Sequence, residues 1–98
     1  MIRLEIIANN TVEEDIIEAM EHIDKGFYYS KINSVHGRGK SDPRWGDAVW
    51  PEENFIFIVF CEDDKALEFV KAINKVKERF DREGIKVFAI PFQSPIEI

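Results

Sequence analysis

The run Phe55–Cys61, FIFIVFC, constrains this chain more than any other segment. Seven consecutive apolar residues bounded by turn-forming and acidic residues have the length of a strand and lack the length of a helix. A half-buried strand would alternate, whereas this one offers apolar side chains to both faces of a sheet. Whatever fold the chain adopts must therefore cover that sheet twice.

The remaining periodicities supply one of the two covers. Residues 2–8 alternate Ile2, Leu4 and Ile6 with Arg3 and Glu5, the period of a half-buried strand, and Asn9-Asn10 breaks it. Thr11 followed by Glu14 has the spacing of a capping box, and Val12, Ile16, Ala19, Met20 and Ile23 recur at helical spacing. Glu13, Glu14 and Asp15 suit the positive end of the helix dipole and Lys25-Gly26 suits a stop, which predicts a helix over 11–24. Residues 27–36 are aromatic and β-branched and predict a second strand. Asp63 or Asp64 can cap a second helix through Ala66, Phe69, Val70, Ile73, Val76 and Phe80, ending near Gly84. A last strand is expected over 85–91, and in the tail 92–98 Ile96-Glu97-Ile98 has the composition of a short edge strand.

This β-α-β-β-α-β order is the ferredoxin-like α+β arrangement, an antiparallel sheet with both helices on one face. The other face stays apolar, since Phe88, Ile90 and Phe92 alternate with Val87 and Ala89. No segment is left to cover it, so self-association through that face is expected.

At 98 residues and 11.4 kDa the chain is read as a single domain, 1–98. A net charge of −6 repels phosphate backbones and anionic membranes, which argues against nucleic acid as a partner. The single cysteine, Cys61, excludes an internal disulfide and fits a reducing compartment. The apolar run at the N-terminus is shorter than a signal peptide requires and no stretch approaches the ~18 residues of a membrane span, so a cytoplasmic location without membrane insertion is expected. With one thiol and only His22 and His36 as imidazoles, nucleophile–base pairs and metal clusters have few candidates, and a non-enzymatic role is favoured.

Between the second and third strands lie residues 37–53, GRGKSDPRWGDAVWPEE, a connection too long and aperiodic for a simple hairpin. Loops of this length in compact domains are usually functional. Gly37-Arg38-Gly39-Lys40 can cradle an anion, with backbone amides brought close by the glycines and charge supplied by Arg38 and Lys40; a solvated turn fits the same residues. Arg44, Trp45, Asp47 and Trp50 have the composition of a partner-binding surface, although each tryptophan can equally pack back onto the domain. His22 and His36 lack a carboxylate or thiol partner by spacing, so no metal site is expected. Cys61, followed by Glu62, Asp63 and Asp64, reads as a small core residue with a raised pKa and not as a nucleophile. The acid run at 13–15 is explained by the helix dipole, and Glu52-Glu53 lies at a loop exit; neither forms an acid–base pair.

The strand ending Val35-His36-Gly37-Arg38-Gly39-Lys40, the long connection, FIFIVFC, the Asp-capped helix and the closing GIKVFAIPF together resemble the P-II nitrogen-regulator superfamily. The topological likeness spans nearly the whole chain, and the likeness in sequence is confined to Gly37-Arg38-Gly39 and to 84–91. It implies a homotrimer with inward-facing sheets and an effector cleft between subunits. It further implies a long loop, corresponding to 38–53, that controls a target such as a membrane transporter or an enzyme. Gly37, Arg38, Gly39, Lys40 and Lys86 are the effector-binding residues this resemblance implies, for a nucleotide or another anion, with no required cofactor. Two departures from P-II proteins proper are visible: the segment 80–86 holds a single glycine where they carry a glycine- and lysine-rich phosphate loop, and both tyrosines, Tyr28 and Tyr29, precede the long loop. The CutA proteins, a metal-tolerance family, share the fold and are the sibling reading.

Overall fold

A computed structural model describes residues 1–37 and 53–93. Seven elements follow one another: β1 (Ile2–Asn9), a 3-10 turn (Asn10–Val12), α1 (Glu13–Ile23), β2 (Ser30–Val35), β3 (Asn54–Cys61), α2 (Asp63–Arg79) and β4 (Lys86–Pro91). The strands form one sheet in the order β2-β3-β1-β4 with every neighbouring pair antiparallel, the ferredoxin-like arrangement.

Alternation along the strands decides which residues form the core. Leu4, Ile6 and Ala8 of β1 and Phe55, Phe57 and Val59 of β3 point to the helix side and are buried. The 3-10 turn and α1 answer with Val12, Ile16 and Met20, and α2 with Ala66, Phe69, Ile73 and Val76, the i, i+3/i+4, i+7 spacing of an amphipathic face. Tilted ring contacts knit the aromatic part together, Phe55 to Phe57 at 4.5 Å, Tyr29 to Phe57 at 4.8 Å and Phe27 to Phe69 at 5.6 Å between centroids.

The opposite face of the sheet carries Ile56, Ile58 and Phe60 from β3, Phe88 and Ile90 from β4 and Ile32 from β2, arranged around Arg3, Glu5 and Ile7 of β1. No described element packs on it. Phe60 and Phe88 are 57% and 48% exposed, large values for phenylalanine on the face of a sheet.

Three local expectations are corrected. Thr11 and Glu14 do not form a capping box: a 3-10 turn precedes α1, and the Asn9 side chain accepts from the Thr11 amide at 2.9 Å. Asn9 takes this place because its side-chain carbonyl reaches the amide two residues on and closes an Asx turn directly at the strand end. The second strand starts at Ser30 and not at Phe27, since Phe27 is drawn into the core against Phe69. Asp63 and Asp64 sit in the first turn of α2 and do not cap it; the N-cap position is Glu62, without a side-chain bond. Asp63 instead meets the Met1 ammonium at 3.1 Å. The Lys25-Gly26 stop holds, with Gly26 at φ 75 and its amide donating to the Glu21 carboxylate at 2.8 Å.

Candidate functional site

The site is assembled at the end of the sheet from which residues 38–52 depart. Val35 of β2 faces Asn54 of β3, which faces Asn9 of β1. Between Ile32 and Val35 the β2–β3 register shifts, and Ser34 takes the left-handed conformation at φ 57. That bulge turns the Ser34 hydroxyl to donate to Glu53 Oε2 at 2.9 Å. The Glu53 carbonyl in turn accepts from the Asn10 amide at 2.7 Å. Glu53 thereby fastens the loop exit to β2 by its side chain and to the end of β1 by its backbone.

Asn9 lies beneath this clasp and is 1% exposed. Its Oδ1 is used by Thr11, while Nδ2 meets no acceptor among the described residues. Sequence pattern marks Asn9 only as a strand break and Glu53 only as one of an acid pair at a loop exit, and it does not mark Ser34. Asn9 carries a weak signal, an Asx residue at a strand end, but nothing signals the contact of Ser34 with Glu53, because it joins residues 19 apart through a bulge no periodicity announces.

Of the residues expected to bind an effector, Gly37 and Lys86 are described, whereas Arg38, Gly39 and Lys40 lie outside the described residues. So do Arg44, Trp45, Asp47 and Trp50 of the expected partner surface and the expected edge strand over 96–98. Gly37 is exposed with open space where a Cβ would stand, so the positive φ at this end belongs to Ser34 and not to Gly37. Lys86 opens β4 opposite Ile7, at the same end of the sheet as Gly37 but on the other edge. Three strand spacings of ~4.8 Å separate those edges by roughly 14 Å. One chain does not bring Gly37 and Lys86 together.

Near Lys86, the turn after α2 is closed by Glu83 N to Phe80 O at 3.0 Å and Ile85 N to Glu83 O at 2.9 Å. Glu83 Oε2 is buried there without a partner among the described residues.

The other candidates fall elsewhere. His22 lines a groove of about 510 Å³ between α1 and α2, floored by Ala19 and Ala72 and edged by Glu18, Lys71 and Lys75, on the far side of the sheet from the open face. His36 is exposed. Among the described residues no three His, Cys, Asp or Glu side chains stand together as a metal site would require, and no helix is long and apolar enough to cross a membrane.

Cys61 pairs with Ile2 at the opposite end of the sheet and is half-buried. Burial pushes its thiol pKa up and the carboxylates of Glu62, Asp63 and Asp64 push the same way, against the Met1 ammonium. Less thiolate is then present near pH 8, so iodoacetamide should label Cys61 several-fold more slowly in the folded chain than in denaturant. Equal rates would contradict this environment.

Neither a family model nor a curated protein matches the chain in sequence. Solved structures match it in fold. A nitrogen regulatory PII-like protein, CPII of Thiomonas intermedia, solved with ADP, AMP and bicarbonate, superposes at a TM-score of 0.74 with 14% identity over 99% of this chain and 94% of its own. A candidate PII-like signaling protein of Thermus thermophilus superposes at 0.65 with 16% identity over 90% and 82%. The chain has a PII-like fold.

Proposed function

We propose that this chain is a non-enzymatic signalling subunit of PII-like type, which binds a small anionic effector between copies of itself and controls a partner through its long loop. The observation that carries the reading is the placement of Gly37 and Lys86 at one end of the sheet on opposite edges. Two copies joined through their open sheet faces can set the loop base of one, at Gly37, beside Lys86 of the next, and the sequence that continues from that base, Arg38-Gly39-Lys40, supplies further cations for an anion. The ADP, AMP and bicarbonate held by CPII, which shares the fold, favour nucleotides and bicarbonate as effectors. Homotrimers in the cytoplasm, with a transporter or an enzyme as the target, complete the proposal.

Calorimetry with ADP, AMP and bicarbonate tests it. Saturable binding is expected for at least one of them, and Arg38→Ala with Lys40→Ala should weaken it by a few kcal/mol, since hydrogen bonds to charged groups contribute ~1.5 to 3 kcal/mol each. Heat of binding from none of the three, or binding that the double variant leaves unchanged, contradicts the proposal. A response confined to divalent metals would point to the CutA-like alternative.

Trp45→Ala and Trp50→Ala are expected to leave effector affinity and the melting temperature unchanged while abolishing capture of the target, because a truncated aromatic anchor often costs ~2 kcal/mol or more of binding. A melting temperature lowered by several degrees would place that tryptophan in packing instead.

A further inference from the structure

At the centre of the apolar sheet face stand two charges. Arg3 and Glu5 lie two residues apart on β1 and point to the same side, with Arg3 Nε donating to Glu5 Oε2 at 2.8 Å. Arg3 faces Phe60 across one strand boundary and Ile90 across the other; Glu5 faces Ile58 and Phe88. The guanidinium carbon sits 5.8 Å from the centre of the Phe60 ring. The pair is thus framed by the side chains that self-association would cover.

Its valence is incomplete within one chain. Only Nε of the guanidinium is engaged among the described residues, which leaves the two outer NH2 groups, and Glu5 Oε1 has no donor there. In water this costs nothing. Under a covering subunit, unsatisfied donors and an unsatisfied carboxylate oxygen are expensive, and a charge separated from its partner there is more expensive still. The face brings one guanidinium and one carboxylate from every copy, so a second copy is an occupant that supplies what the first lacks.

We propose that Arg3 and Glu5 pair across copies in the assembled protein, the guanidinium of one bridging its own Glu5 and the Glu5 of its neighbour, and that this exchange fixes the register in which the apolar faces meet. The proposal rests on the self-association reading. It makes the pair a device for specificity: Phe60, Phe88 and Ile90 favour contact in many registers, and the charges permit only those that match acid to base.

Mixing singly altered chains tests it. Arg3→Glu leaves two carboxylates on β1 and Glu5→Arg leaves two guanidiniums, so each chain alone should assemble at least tenfold more weakly than the parent, read by light scattering and native mass spectrometry across a dilution series. A mixture of the two should regain assembly, with both chains in the same particle; in a ring of three, one contact of the three stays mismatched and recovery is partial. If either chain lacks the native far-UV spectrum, Arg3→Gln and Glu5→Gln take their places, since each then retains the group the other has lost and the mixture again recovers. Recovery on mixing cannot come from a pair confined to one chain. Altered chains that assemble like the parent, or a mixture no better than its components, would overturn the cross-copy pairing while leaving self-association standing. A parent chain that stays monomeric would overturn both.

Discussion

Phe57→Ala will lower the stability of this protein by about 3 to 5 kcal/mol, the range for emptying a fully buried aromatic site. Phe57 is completely buried, pairs with Ile6 in the neighbouring strand, and touches the rings of Phe55 and Tyr29. Helices cover it on one side and the sheet backbone on the other, so the cavity has little means of collapsing. A domain of this size holds roughly 5 to 15 kcal/mol in total, and each kcal/mol moves the midpoint by about 4 to 8 °C. The melt, followed by circular dichroism at fixed chain concentration, should therefore fall by tens of degrees or vanish. Tyr28→Ala is the control, since Tyr28 is 92% exposed and its loss should shift the midpoint by little. A fall of only a few degrees for Phe57→Ala would mean that β3 does not turn this residue to the core.

Phe60→Glu with Phe88→Glu will act in the opposite way, sparing the fold and destroying assembly. Both rings lie on the uncovered face, Phe60 beside Arg3 and Phe88 beside Glu5. Fully burying a phenylalanine contributes ~1.5 to 3 kcal/mol, and each of these rings is already about half covered, so losing two from an interface weakens association by roughly ten- to hundredfold even before the cost of burying carboxylates. The isolated subunit should keep its far-UV spectrum, because neither ring belongs to the core formed by Phe55, Phe57 and Phe69. An assembly that survives the double substitution would show that the interface lies elsewhere, the α1–α2 groove being one candidate surface.

What could be read from the sequence was whatever burial writes as a period. Leu4 and Ile6 at spacing two, Ile16 and Met20 or Phe69, Ile73 and Val76 at spacing three to four, identify strands, helices and the inward faces without reference to anything distant. FIFIVFC even reported that the sheet has two apolar faces, and the structure shows Ile56, Ile58 and Phe60 on the side the helices leave bare. Phe27 misled because an aromatic residue beside Tyr28 and Tyr29 looks like strand composition, while its burial is decided by α2, 42 residues away in Phe69. Thr11 misled because two nearby residue types can cap, and the winner depended on a 3-10 turn that no pattern marks. The loop base was the least legible part: Ser34, Glu53 and Asn9 come together through a bulge, a backbone hydrogen bond and a strand register, none of which leaves a repeat in the chain. The separation of Gly37 from Lys86 likewise required the strand order.

Native mass spectrometry of the unaltered chain at micromolar concentration bears most directly on the central claim, that a second copy covers the open sheet face and completes the effector cleft. The account predicts a closed particle of three times 11.4 kDa that persists on tenfold dilution. A stable species of one chain mass would contradict it, because Phe60, Phe88 and Ile90 would then have no cover among the described residues and Gly37 and Lys86 would stay on opposite edges of one sheet.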